Sequence, residues 1–122
     1  MHENRVTQRL IRALNTLSGC RAKKRHGVRF QSGEPDIAGV YGGHAFFIEV
    51  KMPKGKLTPL QGHELRLWAE ARATSLVAVW SPKDEYFLMT SIGNEARHAT
   101  IALSFIENFL RLLPSTDKVE KN

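Results

Sequence analysis

The sequence predicts an α/β domain: a mixed β-sheet flanked by helices, in the order α-β-β-β-α-β with a helix at the end. Three observations predict it. An amphipathic helical pattern opens the chain, and two strand-like runs meet at Gly42-Gly43. A sharply capped helix start at Thr58-Pro59-Leu60-Gln61 is then followed by the β-rich run Ser75 to Trp80. A helix between two strands reads as a crossover joining parallel neighbours, whereas a Gly-Gly turn joins antiparallel ones. Both in one chain make the sheet mixed.

From Glu3 to Leu17, Val6, Leu10, Ala13, Leu14 and Leu17 recur at spacings of three and four, and Arg5, Arg9 and Arg12 form a basic stripe on another side. That is an amphipathic helix, ended by Ser18-Gly19. A basic connector, Arg21 to Gly27, leads to a short strand at Val28 to Gln31 and a turn at Ser32-Gly33-Glu34-Pro35. Asp36 to Tyr41 and His44 to Lys51 are the two strands of the hairpin. A basic loop carrying Lys54 and Lys56 precedes the second helix. There Thr58 is the N-cap, Pro59 suits the first helical position, and Gln61 completes a capping box. Leu60, Leu67, Trp68 and Ala71 read as its apolar face. Leu-Val-Ala-Val-Trp within Ser75 to Trp80 has the unbroken apolar character of a buried strand. Glu85 to Met89 reads as a further short strand. Asn94 to Leu113 reads as the last helix, so apolar around its circumference that part of it is expected against a second subunit. The polar tail from 114 to 122 reads as disordered, leaving 1–113 as one domain.

Size and composition agree. A chain of 122 residues, 42% hydrophobic and 25% charged, suits a single globular domain with a real core. No apolar run approaches the ~18 residues of a membrane span. The first residues lack the apolar stretch of a secretory signal, which points to the cytoplasm. A lone cysteine, Cys20, excludes an internal disulfide and a cysteine-rich zinc site. Eighteen Lys and Arg against twelve Asp and Glu give a net charge of +6, which favours a polyanionic partner.

The chemistry is concentrated at Asp36 and at Glu49-Val50-Lys51. Ala45 to Val50 is apolar on both faces, like an interior strand, yet Glu49 and Lys51 stand two apart and project from the same face. Charges at such positions are normally paired or hold a metal. A pair frayed at the end of an edge strand is the plainer reading, but it leaves Glu49 within an apolar run unexplained. Asp36 alone is also a turn residue; the Gly42-Gly43 hairpin brings its strand against the one bearing Glu49. Two carboxylates hold Mg²⁺ or Mn²⁺ and leave water in place, and such a cation activates water for attack on a phosphate. Lys51 either orients that water and stabilises the phosphate or, if desolvated, serves as a base. Glu3, at the start of the first helix and on its apolar side, completes the metal site or merely complements the helix dipole. Gln61 is a capping residue close enough to Lys51 to touch substrate. Arg21, Lys23, Lys24 and Arg25, with Lys54 and Lys56, occupy segments flanking this site. They read either as a solvated surface or as a groove tracking phosphates.

Glu3, Gly33-Glu34-Pro35-Asp36, Glu49-Val50-Lys51 and Lys56-Leu57-Thr58-Pro59-Leu60-Gln61 occur in the order seen in VRR-NUC domains. The chain from about 3 to 90 resembles that family, part of the PD-(D/E)XK nuclease superfamily. The resemblance implies a restriction-endonuclease-like fold and a Mg²⁺- or Mn²⁺-dependent endonuclease acting on DNA, often branched. It implies Asp36, Glu49 and the Val50 carbonyl as metal ligands, Lys51 as catalytic, and Glu3 and Gln61 as supporting residues. Small stand-alone members, found in phages and bacteria, resemble Holliday-junction resolvases and act as homodimers. No small-molecule cofactor is implied. The competing readings are a nicking or restriction-like nuclease for duplex DNA, a non-catalytic nucleic-acid-binding module using only the basic residues, and a structural domain with a buried Glu49–Lys51 ion pair.

Overall fold

A computed structural model describes residues 3–25, 33–93 and 96–114. The described residues form a six-stranded sheet with helices on both faces: α1 (Glu3–Leu14), β1 (Cys20–Lys24), β2 (Ile37–Tyr41), β3 (His44–Lys51), α2 (Pro59–Glu70), β4 (Thr74–Ser81), β5 (Tyr86–Ile92) and β6 (His98–Ala102). A 3-10 segment, Leu103–Leu112, follows. The strands lie in sequence order, β3 and β4 parallel and every other pair antiparallel. The α/β class and mixed sheet are those the sequence predicts.

Alternation along β3 sorts the two layers. Phe46 meets Phe109 of the 3-10 segment edge-on at 5.1 Å, and Phe47 stacks on Trp68 of α2 at 4.2 Å. The main core lies on the first face, where Val6, Leu10 and Leu14 of α1 pack with Ile37, Phe46, Ile48, Leu76, Phe87 and Ile101. Phe46 to Val50 are all buried, which makes β3 an interior strand. At the hairpin, Gly42 and Gly43 take φ of 56° and 83°, the positive angles a two-residue turn requires.

Gly39 is needed for space. A Cβ there would lie 2.2 Å from Phe46 Cζ and 2.8 Å from the Arg21 carbonyl oxygen. Gly39→Ala is therefore expected to cost roughly 1–3 kcal/mol of stability, read from the midpoint of urea unfolding. An unchanged midpoint would show that the ring and strand yield freely.

Several expectations need correction. The basic connector is not a loop: Arg21, Lys23 and Lys24 belong to β1, which pairs along the whole of β2. The alternation of small and charged residues in Cys-Arg-Ala-Lys-Lys buries only Ala22 against α1, a weak strand signal that tertiary pairing completes. Its outer edge is closed by Asn15, whose side chain accepts from Ala22 N–H at 2.7 Å and donates to the Ala22 carbonyl at 3.0 Å. At Ala22 the edge is therefore not open to strand addition. The strand expected at Val28 to Gln31 and the disordered tail fall outside the described residues.

The last helix is also different. His98–Ala102 forms β6 against β5, and the following turn is 3-10, broken at Phe105 (φ −128°, ψ 46°). Most apolar residues of this region find partners within the chain, while Phe105 stays exposed. Ile101 is buried from the strand, while Ile106, Phe109, Leu112 and Leu113 are buried from the 3-10 segment and its end. Two short elements with different periods, read as one, mimic an all-round apolar helix. In α2 the apolar face is also displaced. Leu60 and Leu67 are exposed, and Gly62 and Leu65 are buried.

Candidate active site

The site forms where the β2–β3 ladder ends. Ile37↔Ile48 is its last pair, and continuing the register by one residue sets Asp36 opposite Glu49 on the α2 face. One step further stands Pro35, which has no N–H for the ladder. The Val50 N–H accordingly turns to the aspartate, donating to Asp36 Oδ2 at 2.8 Å. The Val50 carbonyl lies on the same edge of the strand as its N–H. On the other side, Arg25 N–H donates to the Asp36 carbonyl at 2.8 Å.

Glu49 and Lys51 share the face that α2 covers. Lys51 Nζ is 3.5 Å from Glu49 Oε2, with side chains only 13% and 4% exposed. Gln61 joins them. Its Nε2 donates to Glu49 Oε2 at 3.0 Å, and its Oε1 accepts from Lys51 Nζ at 2.9 Å and from Thr58 N–H at 3.0 Å. Thr58 Oγ1 in turn accepts from Gln61 N–H at 3.1 Å, completing the capping box. Capping and site contact were alternatives in the sequence; one amide does both. The rotation this imposes on α2 turns Gln61, Leu65 and Trp68 (spaced four and three) toward the sheet and leaves Leu60 and Leu67 outside.

Electrostatics mark the carboxylate pair. Burial lifts the Asp36 carboxyl above its ordinary range, against the pull of the Val50 N–H, Lys51 and Lys24. Glu49 is pushed up to about 7 by burial and then by the Asp36 charge, with Lys51 opposing and Glu3 adding to the rise. Glu49 Oε1 is buried with no hydrogen-bond partner among the described residues. Two crowded carboxyls, one with a buried oxygen that no described donor reaches, fit a hard divalent cation once both have lost their protons. Among the described residues no group of three His, Cys, Asp or Glu side chains is gathered for a metal. Glu3 is exposed rather than aimed inward, at the start of α1, and reaches Glu49 through its charge.

The basic residues divide. Arg21 and Lys23 are exposed on β1, and with Lys24 they line a groove of about 590 Å³ between α1 and β1 over Ile11 and Ala22. Lys24 also bonds Asn4. Lys54 and Lys56 are exposed in the β3–α2 loop. Arg25 is instead engaged with Glu34 at 2.9 Å. Glu34 and Phe47 were not singled out by sequence reasoning; the only signal for Glu34 is its place just before Pro35-Asp36.

No family model matches the sequence, and no curated protein matches it. Solved structures do. The chain is similar to Hjc, a Holliday junction resolvase from the archaeal hyperthermophile Archaeoglobus fulgidus, with a TM-score of 0.60 and 22% identity, covering 86% of this chain and 92% of that one. It is also similar to a VRR_NUC domain, with a TM-score of 0.55 and 29% identity, covering 66% of this chain and 86% of that one. Its fold matches that of a VRR-NUC, PD-(D/E)XK nuclease-like domain. The restriction-endonuclease-like core of such a domain is the mixed sheet with α1 and α2 on opposite faces. No described helix of this VRR-NUC-like domain is long and apolar enough to cross a membrane.

Proposed function

We propose that the chain is a Mg²⁺- or Mn²⁺-dependent endonuclease that hydrolyses phosphodiester bonds in DNA, selects branched DNA such as four-way junctions, and acts as a homodimer. The observation that carries the reading is half-buried Asp36 against buried Glu49, whose Oε1 has no described hydrogen-bond partner, beside Lys51 at the end of β3. Asp36, Glu49 and the Val50 carbonyl would hold the cation. When bound, it supplies a more acidic water and offsets charge building on the phosphate. The Lys51 ammonium, aimed by Gln61, hydrogen-bonds a phosphate oxygen and stabilises the developing charge. Gln61 keeps Glu49 and Lys51 in register by bonding both. Glu3 adds negative charge that favours cation binding without belonging to the ligand pair.

Arg21, Lys23 and Lys24 on one side of Asp36, and Lys54 and Lys56 beyond Lys51, are proposed to track the phosphates leading to the scissile bond. Two copies about a two-fold axis present two sites to paired strands, as a junction requires. That the neighbour Hjc is a Holliday junction resolvase supports this choice of substrate. The proposed setting is the cytoplasm of a bacterium or of a phage-infected cell.

The test is to incubate the purified chain with supercoiled, linear and four-way-junction DNA in Mg²⁺, Mn²⁺ or EDTA. Junction cleavage with either cation and none in EDTA is the expected result. Equal cutting of linear duplex would replace junction selectivity with a restriction-like activity. Salt-sensitive binding without cleavage in any condition would leave only a binding module.

A further inference from the structure

We propose that Arg25 and Glu34 form a latch that positions Asp36, making Arg25 a positioning residue of the carboxylate site rather than a contact to DNA. The inference rests on the metal-site reading above. It also separates Arg25 from the other basic residues, with which sequence alone groups it.

Asp36 lies just past the last ladder pair, and Pro35 withdraws the N–H that would have extended the ladder. Its carboxyl therefore depends on neighbouring contacts for its placement. Three are present. Val50 N–H holds the carboxylate, Arg25 N–H holds the backbone carbonyl at 2.8 Å, and the Arg25 guanidinium forms an ion pair with Glu34, two residues upstream, at 2.9 Å, held by charge and not by an aligned hydrogen bond. Arg25 thus holds the Glu34-Pro35-Asp36 segment at two points, one from its backbone and one from its side chain.

The guanidinium is also seated. Its carbon lies 5.8 Å over the Phe47 ring, which stacks on Trp68 of α2 at 4.2 Å. Phe47 is the β3 residue two before Glu49, on the same face. The latch therefore ties the Asp36 segment to the strand and helix that carry Glu49, Lys51 and Gln61. The Arg25 and Glu34 side chains are only 32% and 18% exposed, which sets this pair apart from exposed Arg21, Lys23, Lys54 and Lys56. A guanidinium committed to a carboxylate and a ring contributes little to counterion release from DNA. A carboxylate ligand left to wander weakens a cation site; loss of such supporting contacts commonly costs 10–100-fold in metal affinity.

The experiment compares two readouts in the full chain, neither of them cleavage. Mn²⁺ affinity is measured by titration calorimetry without DNA, and the salt dependence of junction-DNA binding is measured in EDTA. Arg25→Ala is expected to weaken Mn²⁺ binding about 10–100-fold and to leave the salt slope unchanged. Arg21→Ala is expected to lower the slope by about 0.9 and leave Mn²⁺ affinity alone. Glu34→Gln, which keeps the side-chain volume, serves if Arg25→Ala does not fold, and is expected to weaken Mn²⁺ in the same way. The proposal is overturned if both variants bind Mn²⁺ like wild type, or if Arg25→Ala lowers the salt slope as Arg21→Ala does. A wild-type chain that binds no Mn²⁺ sinks the metal-site reading and the latch together; wild-type binding with unaffected variants sinks the latch alone.

Discussion

Lys51→Ala is expected to reduce DNA cleavage by ~10²–10³-fold or more while DNA affinity in EDTA falls only a few-fold. Among the described residues, Lys51 is the one cation whose side chain bonds within the cluster, 3.5 Å from Glu49 Oε2 and 2.9 Å from Gln61 Oε1. Its removal takes away the charge that the proposed mechanism sets against the scissile phosphate. The rest of the scaffold stays anchored, because Gln61 remains bonded to Thr58 and Glu49. In the proposed reading, binding rests chiefly on exposed Arg21 and Lys23 of β1 and Lys54 and Lys56 of the β3–α2 loop, which this change does not touch. Single-turnover cleavage of a labelled junction, with binding measured in EDTA, separates the two effects. Cleavage that survives the substitution would remove Lys51 from the chemistry, and parallel loss of cleavage and binding would make it a docking residue.

Glu49→Gln is expected to abolish the response to Mg²⁺ and, in EDTA, to stabilise the chain at neutral pH and above. Glu49 is almost fully buried beside Asp36, and its carboxyl keeps its proton up to about pH 7, against an ordinary value of 4.5. Between those values the native state holds a proton that the unfolded chain has released. The stability of the metal-free wild type therefore falls as pH rises across that window. The fall amounts to roughly 3 kcal/mol by pH 8. A glutamine of the same shape carries no charge, still accepts from Gln61, and removes most of that slope. If the pair holds a cation as proposed, Mg²⁺ is expected to restore the wild type at high pH, because a metal ligand must be deprotonated. Thermal unfolding from pH 4.5 to 8, with EDTA or Mg²⁺, reads all three effects. A wild-type profile that is flat or rises with pH in EDTA would show that the carboxylates are not crowded as described.

The elements legible in advance were those whose signals are local. The cap at Thr58 lies in four adjacent residues, the hairpin in Gly42-Gly43, and the interior character of β3 in six consecutive side chains. β1 was missed because three of its five residues are charged, and its strand state depends on pairing with β2 across a long connection. The region after Asn94 was misread because β6 and the 3-10 segment adjoin with no turn residue between them, so periods of two and three merge into an apparent helix. Hydrophobicity alone places Leu60 and Leu67 on the apolar face of α2. The rotation of α2 is decided by Gln61 reaching the Glu49–Lys51 pair, a contact that no helical spacing encodes.

Residue types and their local order determined that a hairpin would carry Asp36 on one arm and Glu49 and Lys51 on the other, since strand alternation and turn chemistry act over a few neighbouring residues. Only the tertiary structure decided which groups complete the cluster. Gln61 arrives from a helix across the sheet face, Arg25 comes from a separate strand end, and Glu3 remains in solvent. The reason is physical. Backbone geometry propagates along the chain, but the burial and charge crowding that push Glu49 up to about 7 depend on how distant segments pack together.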